Sequence, residues 1–563
     1  MMYIFDSIKK ELEDILNKEA GSLKLEIPPE HVDGDFAVSL GDPNKTKELA
    51  EKINGKELEF VENAKAAGPF LNITLKKSKI YNEVIKEVKK IGEDYGNSSS
   101  GKGKKALIEY SSPNIAKPIG VGHLRSTVIG EALARVYEAL GFTVIRDNFL
   151  GDWGTQFGKL IYAYKKWGDK DRVAKNPMEE LKDLYVRFEK EAQNNDSLEE
   201  KAREISKKLE EKDKEFEKLW KEFRNLSIKE FEKIYDVLNI KFDHYTFESN
   251  FVQKAKEIIE DGLGDGRVKE TETGTAVAVE MDGLPSYVLM TQNGYTLYIA
   301  RDLAALKGRL EEYKPDVFLY IVGNEQTLHF KQMFAFAKKA GYLNKKTEVK
   351  HVPFGMVLFG GKKMSTRKGT AVSLEKLIEE SVKRSGELIK QKSPDLTPEE
   401  QDKISKIVGI GAVVYSSLRQ SREKNIVFDW DKALDIESAS APYLQYTYAR
   451  INSIIKKAKE SFGESEVGGN HFEFENESEF ELVKQILIFP KVVRSVIIFN
   501  SPHIICTYLE KLAHLFNSFY NDTSVIKTKD DNLRRSRLEL VASVALVIKK
   551  GLNLLNVDVP ERM

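Results

Sequence analysis

The sequence predicts an α/β fold in which a parallel sheet, interrupted by an insertion, lies between an α+β N-terminal domain and an all-α C-terminal helical bundle. Two observations predict it. The apolar run KKALIEYSS is followed by a Pro/Gly-rich loop, a long helical pattern and a second strand, FTVIRDN, which together form the building block of a parallel sheet. From about Ile404 to Met563, apolar residues recur at three- and four-residue spacing, which is typical of a helical bundle.

The first hundred residues predict the small α+β domain. GDFAVSL and AGPFLNITL have the composition of strands, and helical patterns lie before and between them. The polar run from Asn97 to Gly103, rich in Ser and Gly, then predicts a flexible linker. We therefore place the first domain at residues 1–100.

Residues 101–380 predict the domain with the parallel sheet, which is of the Rossmann type, and residues 381–563 predict the helical bundle. Strand-like runs return at PDVFLYIVG and EVKHVPFGMVLF, after an insertion over about 151–293. The middle of this insertion, Asp169 to Lys233, alternates Glu and Lys around spaced apolar residues. This pattern favours solvated helical faces over a coiled coil or an RNA-binding arm.

The composition excludes several classes of protein. Hydrophobic residues make up 41% of the 563, which is too apolar for a disordered chain, and no run approaches the about 18 uninterrupted apolar residues of a membrane span. The amphipathic, acid-containing N-terminus fits no signal peptide, so we expect a cytoplasmic protein without a membrane partner. Cys506 is the only cysteine, which excludes an internal disulfide and a zinc site of several thiolates. The net charge of zero weakens, without excluding, an interpretation as a nucleic-acid binder.

The loop SSPNIAKPIGVGHLRST, from Ser111 to Thr127, has the composition of a phosphate-binding site. It follows a strand, and a helix begins near His123, where unpaired N–H groups favour anions. Glycines allow close approach to a ligand, and Lys117 and Arg125 add positive charge. An ordinary strand–helix connection would also explain the Gly and Pro residues.

A second loop, GGKKMSTRKGTAV (residues 360–372), has three glycines, four cations and three hydroxyls in a short stretch. Such a loop suits the stabilisation of charge on a leaving pyrophosphate. A solvated basic loop is the plainer alternative. Two phosphate-type loops flanking one α/β region favour a nucleotide site.

These residues also carry a resemblance to a family. GVGHLRST resembles the HIGH signature, and KMSTR the KMSKS signature, of class I aminoacyl-tRNA synthetases. Further segments are similar, in order and over essentially the whole chain, to the arginyl-tRNA synthetases: SSPNIAKP, GDWGTQFG, YIARDLA, GNEQTLHFKQ, FDWDKALDIESASAPYLQYTYARI and LLNVDVPERM. Gly120 replaces the first His of HIGH, and Thr366 the second Lys of KMSKS. The resemblance implies that Lys117, upstream of the HIGH-like segment, compensates for the variant KMSKS-like loop.

The resemblance implies an arginine pocket. Free arginine presents a fixed fork of N–H donors, which calls for carboxylates, together with an α-amino group. Asp302 follows Tyr298 by one helical turn, so both side chains lie on one face of the predicted helix. The family match places one set of residues at the backbone end of the amino acid and another at its side chain: Glu109, Ser112 and Asn114, then Tyr298, Asp302 and Gln326.

The same resemblance implies ATP and, with the nucleotide, Mg²⁺. Residues matched to the phosphates, ribose and adenine are Gly120, Gly122, His123, Gly323, Glu325, His329, Met356 and Val357. Residues matched to catalysis are His123, Lys117, Lys363, Ser365 and Lys368. No nucleophilic side chain is needed, because the arginine carboxylate itself attacks ATP.

The helical bundle resembles an anticodon-binding domain. Tyr443, Tyr446, Tyr520 and Met563 match positions that hold or stack on tRNA bases, and burial in the bundle is their plainer explanation. The sequence thus predicts a monomeric ligase with arginine, ATP and arginine tRNA as partners. The alternatives are another class I enzyme and an inactive RNA-binding relative with altered signatures.

Overall fold

The computed structural model describes residues 2–16, 23–29, 31–195, 197–343, 346–359, 373–463 and 471–563. Lys363, Ser365 and Lys368 of the second loop lie outside these described residues.

An N-terminal α+β unit is built on a three-stranded antiparallel sheet with strand order β1-β3-β2. Its elements are α1 (Ile4–Leu16), β1 (Phe36–Ser39), α2 (Pro43–Asn54), β2 (Val61–Ala67), β3 (Phe70–Leu75) and α3 (Lys77–Ile91). Asp42 caps α2 by accepting from the backbone N–H groups of Asn44 and Lys45. The sequence analysis did not predict β2, because VENAKAA lacks the β-branched alternation of a strand.

The centre of the molecule is a five-stranded sheet with order β11-β10-β4-β5-β6 and parallel pairing throughout. This confirms the predicted Rossmann-type parallel sheet. Its elements are β4 (Lys105–Glu109), α4 (Val121–Ala139), β5 (Thr143–Leu150), β6 (His244–Phe247), α11 (Tyr298–Tyr313), β10 (Val317–Gly323), α12 (Thr327–Lys339) and β11 (Glu348–Phe354). The carboxyl ends of β4 and β10 are neighbours, so the loops that follow them share one edge of the sheet.

The segment predicted as one insertion, 151–293, contains β6, which is a strand of the main sheet and not of an inserted unit. The sequence HYTF is too short and too little buried to be recognised as a core strand without its neighbour β5. Around β6 lie α5 (Thr155–Trp167), α6 (Lys170–Lys175), α7 (Pro177–Ala192), α8 (Ser197–Glu210), α9 (Lys214–Val237), α10 (Val252–Gly264) and the small antiparallel sheet of β7 (Val268–Glu270), β8 (Ala276–Ala278) and β9 (Tyr287–Met290).

A helical bundle completes the chain, as predicted. Its elements are β12 (Val357–Phe359), α13 (Leu374–Lys392), α14 (Pro398–Leu418), β13 (Ile426–Phe428), α15 (Trp430–Ala433), α16 (Ala441–Phe462), α17 (Glu477–Phe499), α18 (His503–Asp522) and α19 (Asp531–Leu554). Thr397 and Glu400 form a reciprocal capping box at the start of α14.

The N-terminal unit docks on the bundle. Arg494 of α17 donates two hydrogen bonds to the Asp6 carboxylate, at 2.9 and 2.7 Å. Tyr95, which follows α3, stacks on Phe489 and donates to the carbonyl of Ile486. Among the described residues, we find no helix with the length and apolar character that crossing a bilayer requires.

Candidate functional site

The loop between β4 and α4 is held in a backbone conformation that non-glycine residues rarely adopt. Ser111, Ser112 and Ala116 have φ values of 71°, 48° and 60°. Such conformations cost about 1–3 kcal/mol each and persist only where the surroundings fix them. Side chains from two helices and a strand do so here, through bonds of 2.8–3.1 Å between these pairs: Ser126 and Ser111, Thr127 and Ser111, Asn148 and Ser112, Tyr235 and Ser111, Ser227 and Ala116.

His123 lies in the first turn of α4, and its imidazole has a defined tautomer. Its Nδ1 accepts from the backbone N–H of Gly120 at 3.3 Å, so the neutral ring carries its proton on Nε2. Burial, and secondarily the Lys117 ammonium, lower the pKa of His123, although the Gly120 bond opposes them. At neutral pH the residue is therefore a neutral Nε2–H donor at the start of a helix, where anions bind.

Lys117 lies on the same loop and faces the insertion. Its Nζ donates to Gln156 of α5 at 3.3 Å and lies 5.0 Å from the ring centroid of Tyr185 in α7. A cavity of about 520 Å³ opens beside it, lined also by Lys159, Lys182 and Lys190. Lys117 and His123 are close enough for the Lys117 ammonium to lower the pKa of the imidazole.

Arg125 is fully buried in α4 and joins three parts of the chain. Its guanidinium donates to the backbone carbonyls of Gly355 at 2.7 Å, Ser421 at 3.1 Å, and Lys424. It therefore ties the helix that follows the first loop to the start of β12 and to the connection between α14 and β13. Arg125, expected from the sequence to supply positive charge to a ligand, therefore has a structural role instead.

Replacement of Arg125 by Met should lower the free energy of unfolding by about 3 kcal/mol or more, because one buried and two part-buried carbonyls lose their donor. Urea unfolding followed by tryptophan fluorescence measures the effect. The control is Arg187→Met in α7, an exposed residue whose contact with Glu191 is 4.0 Å, for which a change of about 0.5 kcal/mol or less is expected. Equal stabilities for the two variants would contradict the assigned role.

Three predicted residues meet at the N-terminal end of α11. His329 Nε2 lies 2.8 Å from Asp302 Oδ2, and the Tyr298 ring stacks on the His329 ring at a centroid distance of 5.0 Å. Tyr298 is 54% exposed, whereas His329 is buried and its Nδ1 has no hydrogen-bond partner among the described residues. Tyr298 and Asp302 therefore share one wall, as predicted, with His329 beside the carboxylate.

A buried charge cluster lies under that wall. Arg309 of α11 donates to Glu109 Oε2 at 2.5 Å and to Asp147 Oδ2 at 2.7 Å. Burial raises the pKa of Glu109 to about 7, an effect that Arg309 opposes and that Asp147 and Asp302 reinforce. Asp302 and Glu109, both predicted to bind arginine, are thus electrostatically coupled carboxylates.

Glu248 is a further carboxylate that the sequence analysis missed. It is buried, accepts from Arg301 Nε at 2.7 Å, and its pKa is raised to about 7 by burial, against Arg301 and with the help of Asp302. It lies directly after β6, at the carboxyl end of a parallel strand, where ligands bind in such sheets. Recognition of β6 as a strand of the main sheet would have identified Glu248 as a candidate site residue.

Ser112 and Asn114 lie on the strained loop above Glu109. Ser112 Oγ is buried without a hydrogen-bond partner among the described residues. A Cβ at Gly151 would lie 2.3 Å from Asn114 Oδ1, so only glycine allows this approach between the loop and the end of β5. An unpaired buried hydroxyl beside an amide fits a site for a polar ligand.

The residues predicted for ATP are distributed along the same edge. A Cβ added to Gly122 or Gly323 would meet no atom within 4 Å, so open space faces both. Glu325 and Gln326 are exposed in the turn after β10. The Met356 N–H donates to Asn425 Oδ1 at 2.8 Å and its carbonyl accepts from Ile426, so adenine would meet a backbone that β13 already engages. Val357 lies in β12, paired with Ile426.

The residues that directly follow the second loop lie beside the first. Leu374 donates from its N–H to the Ile119 carbonyl at 2.9 Å, and Ser373 forms a bridge with Gly120. The described residues that follow position 372 therefore begin beside the loop that leads into α4 and His123.

Three of the four residues predicted for tRNA line one cavity of about 530 Å³ in the helical bundle: Tyr443, Tyr446 and Met563. Asn517 donates to the Tyr443 hydroxyl at 3.0 Å. Tyr520 is 37% exposed and lies near by, since the Arg450 guanidinium is 4.8 Å from the Tyr446 ring and 5.9 Å from the Tyr520 ring. The aromatic residues are thus partly exposed around this cavity, although Tyr443 also packs against the main hydrophobic core.

Comparisons with known proteins show the family and confirm the fold. The family model described as tRNA synthetases class I (R), catalytic domain, matches residues 85–430, and the DALR anticodon binding domain matches residues 444–563. Arginine–tRNA ligases of Clostridium kluyveri and Clostridium perfringens are 40% and 41% identical, over 99% and 96% of both chains. Solved arginyl-tRNA synthetases from Plasmodium falciparum and Thermus thermophilus share the fold, with TM-scores of 0.82 and 0.81, identities of 24% and 23%, and 100% of both chains covered. The chain belongs to the arginyl-tRNA synthetase family.

Proposed function

We propose that this protein attaches L-arginine to its tRNA in two steps, through an arginyl-adenylate, with release of pyrophosphate and then AMP. One observation carries the substrate assignment. Three carboxylates, Glu109, Glu248 and Asp302, interact at the carboxyl edge of the central sheet, two of them buried, with the start of α4 and its neutral His123 at the same edge. A cationic amino acid and a phosphate-bearing partner are the ligands that this charge distribution favours.

Arginine is bound at its two ends. Asp302 accepts from the guanidinium, with Tyr298 and Gln326 along the side chain and Glu248 as an added acceptor. Glu109 faces the α-ammonium group, and Ser112 and Asn114 lie at the backbone end. Analogues with a neutral side chain leave the charge of Asp302 without a cationic partner, which is the costlier error for a polar pocket.

In the first step an oxygen of the arginine carboxylate attacks the α-phosphorus of ATP. The new P–O bond forms as the bond to the bridging oxygen of the β-phosphate breaks, and pyrophosphate leaves. The chain aligns the reactants and supplies donors and positive charge. His123 donates from Nε2 to a phosphate oxygen, and Lys117 adds a cation beside it.

The remaining assignments rest on the sequence. Gly120, Gly122, Gly323, Glu325 and His329 would contact the phosphates and ribose, and Met356 and Val357 the adenine. Lys363, Ser365 and Lys368 would stabilise the leaving pyrophosphate.

Magnesium would accompany the nucleotide and neutralise phosphate charge, since Mg²⁺ usually keeps waters and binds through substrate phosphates. The open space facing Gly122 and Gly323 accommodates a hydrated phosphate group.

In the second step a hydroxyl of the terminal ribose of tRNA attacks the arginyl carbonyl, an ester forms, and AMP leaves. The helical-bundle cavity would hold anticodon bases against Tyr443, Tyr446, Tyr520 and Met563. We further propose that the protein is a cytoplasmic monomer whose domain boundaries lie at about residues 100 and 380.

Replacement of Tyr446 by Ala should raise the KM for tRNA about tenfold, because stacking on an aromatic ring contributes about 1–3 kcal/mol per base. Charging kinetics at varied tRNA concentration measure this, and the KM for arginine should not change. The control is Phe462→Ala, an exposed ring at the far end of the same helix. Equal effects of both variants would contradict an anticodon role for the cavity.

The proposed function is tested by charging purified tRNA with labelled amino acids. Arginine should be attached, while lysine and citrulline, the neutral isostere of arginine, should not. Attachment of another amino acid instead would assign the chain to a different class I activity. Binding of tRNA without any attachment would indicate an inactive RNA-binding relative.

A further inference from the structure

The buried cluster around Arg309 is set by the register of three strands. Glu109 of β4 pairs with Asp147 of β5 on one side and with Tyr320 of β10 on the other. Partner residues in neighbouring parallel strands project to the same face, so these three side chains form a row across the sheet. The Arg309 side chain extends from α11 to these three residues, and its guanidinium also donates to the Tyr320 hydroxyl at 3.4 Å.

The charges in this row do not balance. Two carboxylates face one guanidinium, and the remaining polar partners, Tyr320 and Thr246, are neutral hydroxyls. Burial raises the pKa of Tyr320 further, which keeps its hydroxyl neutral. With both carboxylates ionised, the cluster therefore carries one uncompensated negative charge in a place where unpaired charge is costly.

The unbalanced charge belongs to Glu109. Asp147 is fully buried and both of its oxygens are engaged, by Arg309 at 2.7 Å and by the Thr246 hydroxyl at 2.6 Å. Glu109 ends β4, directly before the loop where Ser112 Oγ has no partner among the described residues. An ionised carboxylate accepts about four hydrogen bonds, so the bond from Arg309 leaves capacity for a second cation.

We propose that Arg309 is a positioning residue for the α-ammonium group of arginine: it neutralises Asp147 and holds Glu109 so that one negative charge faces the ligand. This inference rests on the proposed function. Arg309 does not touch the substrate. It acts through Glu109, and the ligand's ammonium group completes the charge balance of the cluster.

A pH dependence of binding follows. Glu109 faces Arg309 and Asp302 from α11, Asp147 from β5 and Tyr320 from β10. Because burial raises the pKa of Glu109 to about 7, the free protein holds a proton there at pH 6. The ammonium group binds the ionised form, so arginine affinity should increase from pH 6 to pH 8.

The test compares arginine with 5-guanidinopentanoate, which is arginine without its α-amino group. Arg309→Lys keeps the positive charge but cannot reach both carboxylates with the same planar fork. We expect this variant to raise the KM for arginine about tenfold with kcat nearly unchanged, while the inhibition constant of the analogue stays within about twofold. The analogue should also show no increase in affinity from pH 6 to pH 8.

Equal weakening of arginine and the analogue in Arg309→Lys would make Arg309 a structural residue only and overturn the proposal. So would wild-type binding of the analogue as tight as that of arginine. The second comparison needs no variant, so the proposal can still be overturned if Arg309→Lys fails to fold. Absence of any arginine attachment by the wild type would instead refute the proposed function, which is a separate result.

Discussion

Replacement of His123 by Ala should lower kcat for adenylate formation about 100- to 1,000-fold, the usual cost of losing one preorganised donor to a developing negative charge. The KM for arginine should stay within about twofold, because the imidazole lies at the phosphate side of the site. The effect is expected to be large because Gly120 replaces the other imidazole of the signature, which leaves His123 as the histidine of this motif.

The tautomer makes this prediction specific. Since Nδ1 accepts from Gly120, the donor to phosphate is Nε2–H, and His123→Gln, which places an N–H at a similar reach, should recover part of the activity. His471→Ala, with a side chain 76% exposed, serves as the control. Single-turnover formation of the adenylate separates chemistry from product release. Wild-type kcat in His123→Ala would contradict the role assigned to this residue.

Replacement of Asp302 by Asn should raise the KM for arginine about 100-fold, since charge-assisted bonds contribute about 1.5–3 kcal/mol and two can form to one carboxylate. Asn is isosteric and can still accept from His329, so the local structure should persist. The variant loses the charge and half of the acceptor capacity, and discrimination against citrulline should fall accordingly.

Charging kinetics at varied arginine and citrulline concentrations measure the effect of Asp302→Asn. The matched control is Glu311→Gln, an exposed acid on the same helix, which should behave as the wild type. An unchanged KM for arginine in Asp302→Asn would show that the guanidinium binds elsewhere.

Local patterns predicted the parts of the site that lie within one element. Lys117 and His123 belong to one loop and helix start, and Tyr298 and Asp302 to successive turns of α11. Both pairs come together as the spacing indicates. Four strands of the parallel sheet and the helical bundle follow equally from apolar periodicity, which is a local property of the sequence.

Long-range contacts account for what the sequence did not reveal. Arg309 reaches Glu109 across 200 positions, and Arg125 reaches Lys424 across 299, through strand register and helix packing that no local pattern encodes. Ser227 and Tyr235 fix the strained loop from α9, a helix that the sequence presents only as a solvated amphipathic segment. Glu248 was missed because β6 is a four-residue strand.

Exchange of labelled pyrophosphate into ATP, with arginine, lysine or cysteine and with or without arginine tRNA, tests the central claim most directly. It measures formation of the aminoacyl-adenylate, which requires the pocket carboxylates, His123 and the nucleotide site together. The account predicts exchange with arginine alone among the three amino acids, in the presence of tRNA. Exchange supported by lysine or cysteine, or no exchange with any amino acid although tRNA is bound, would contradict it.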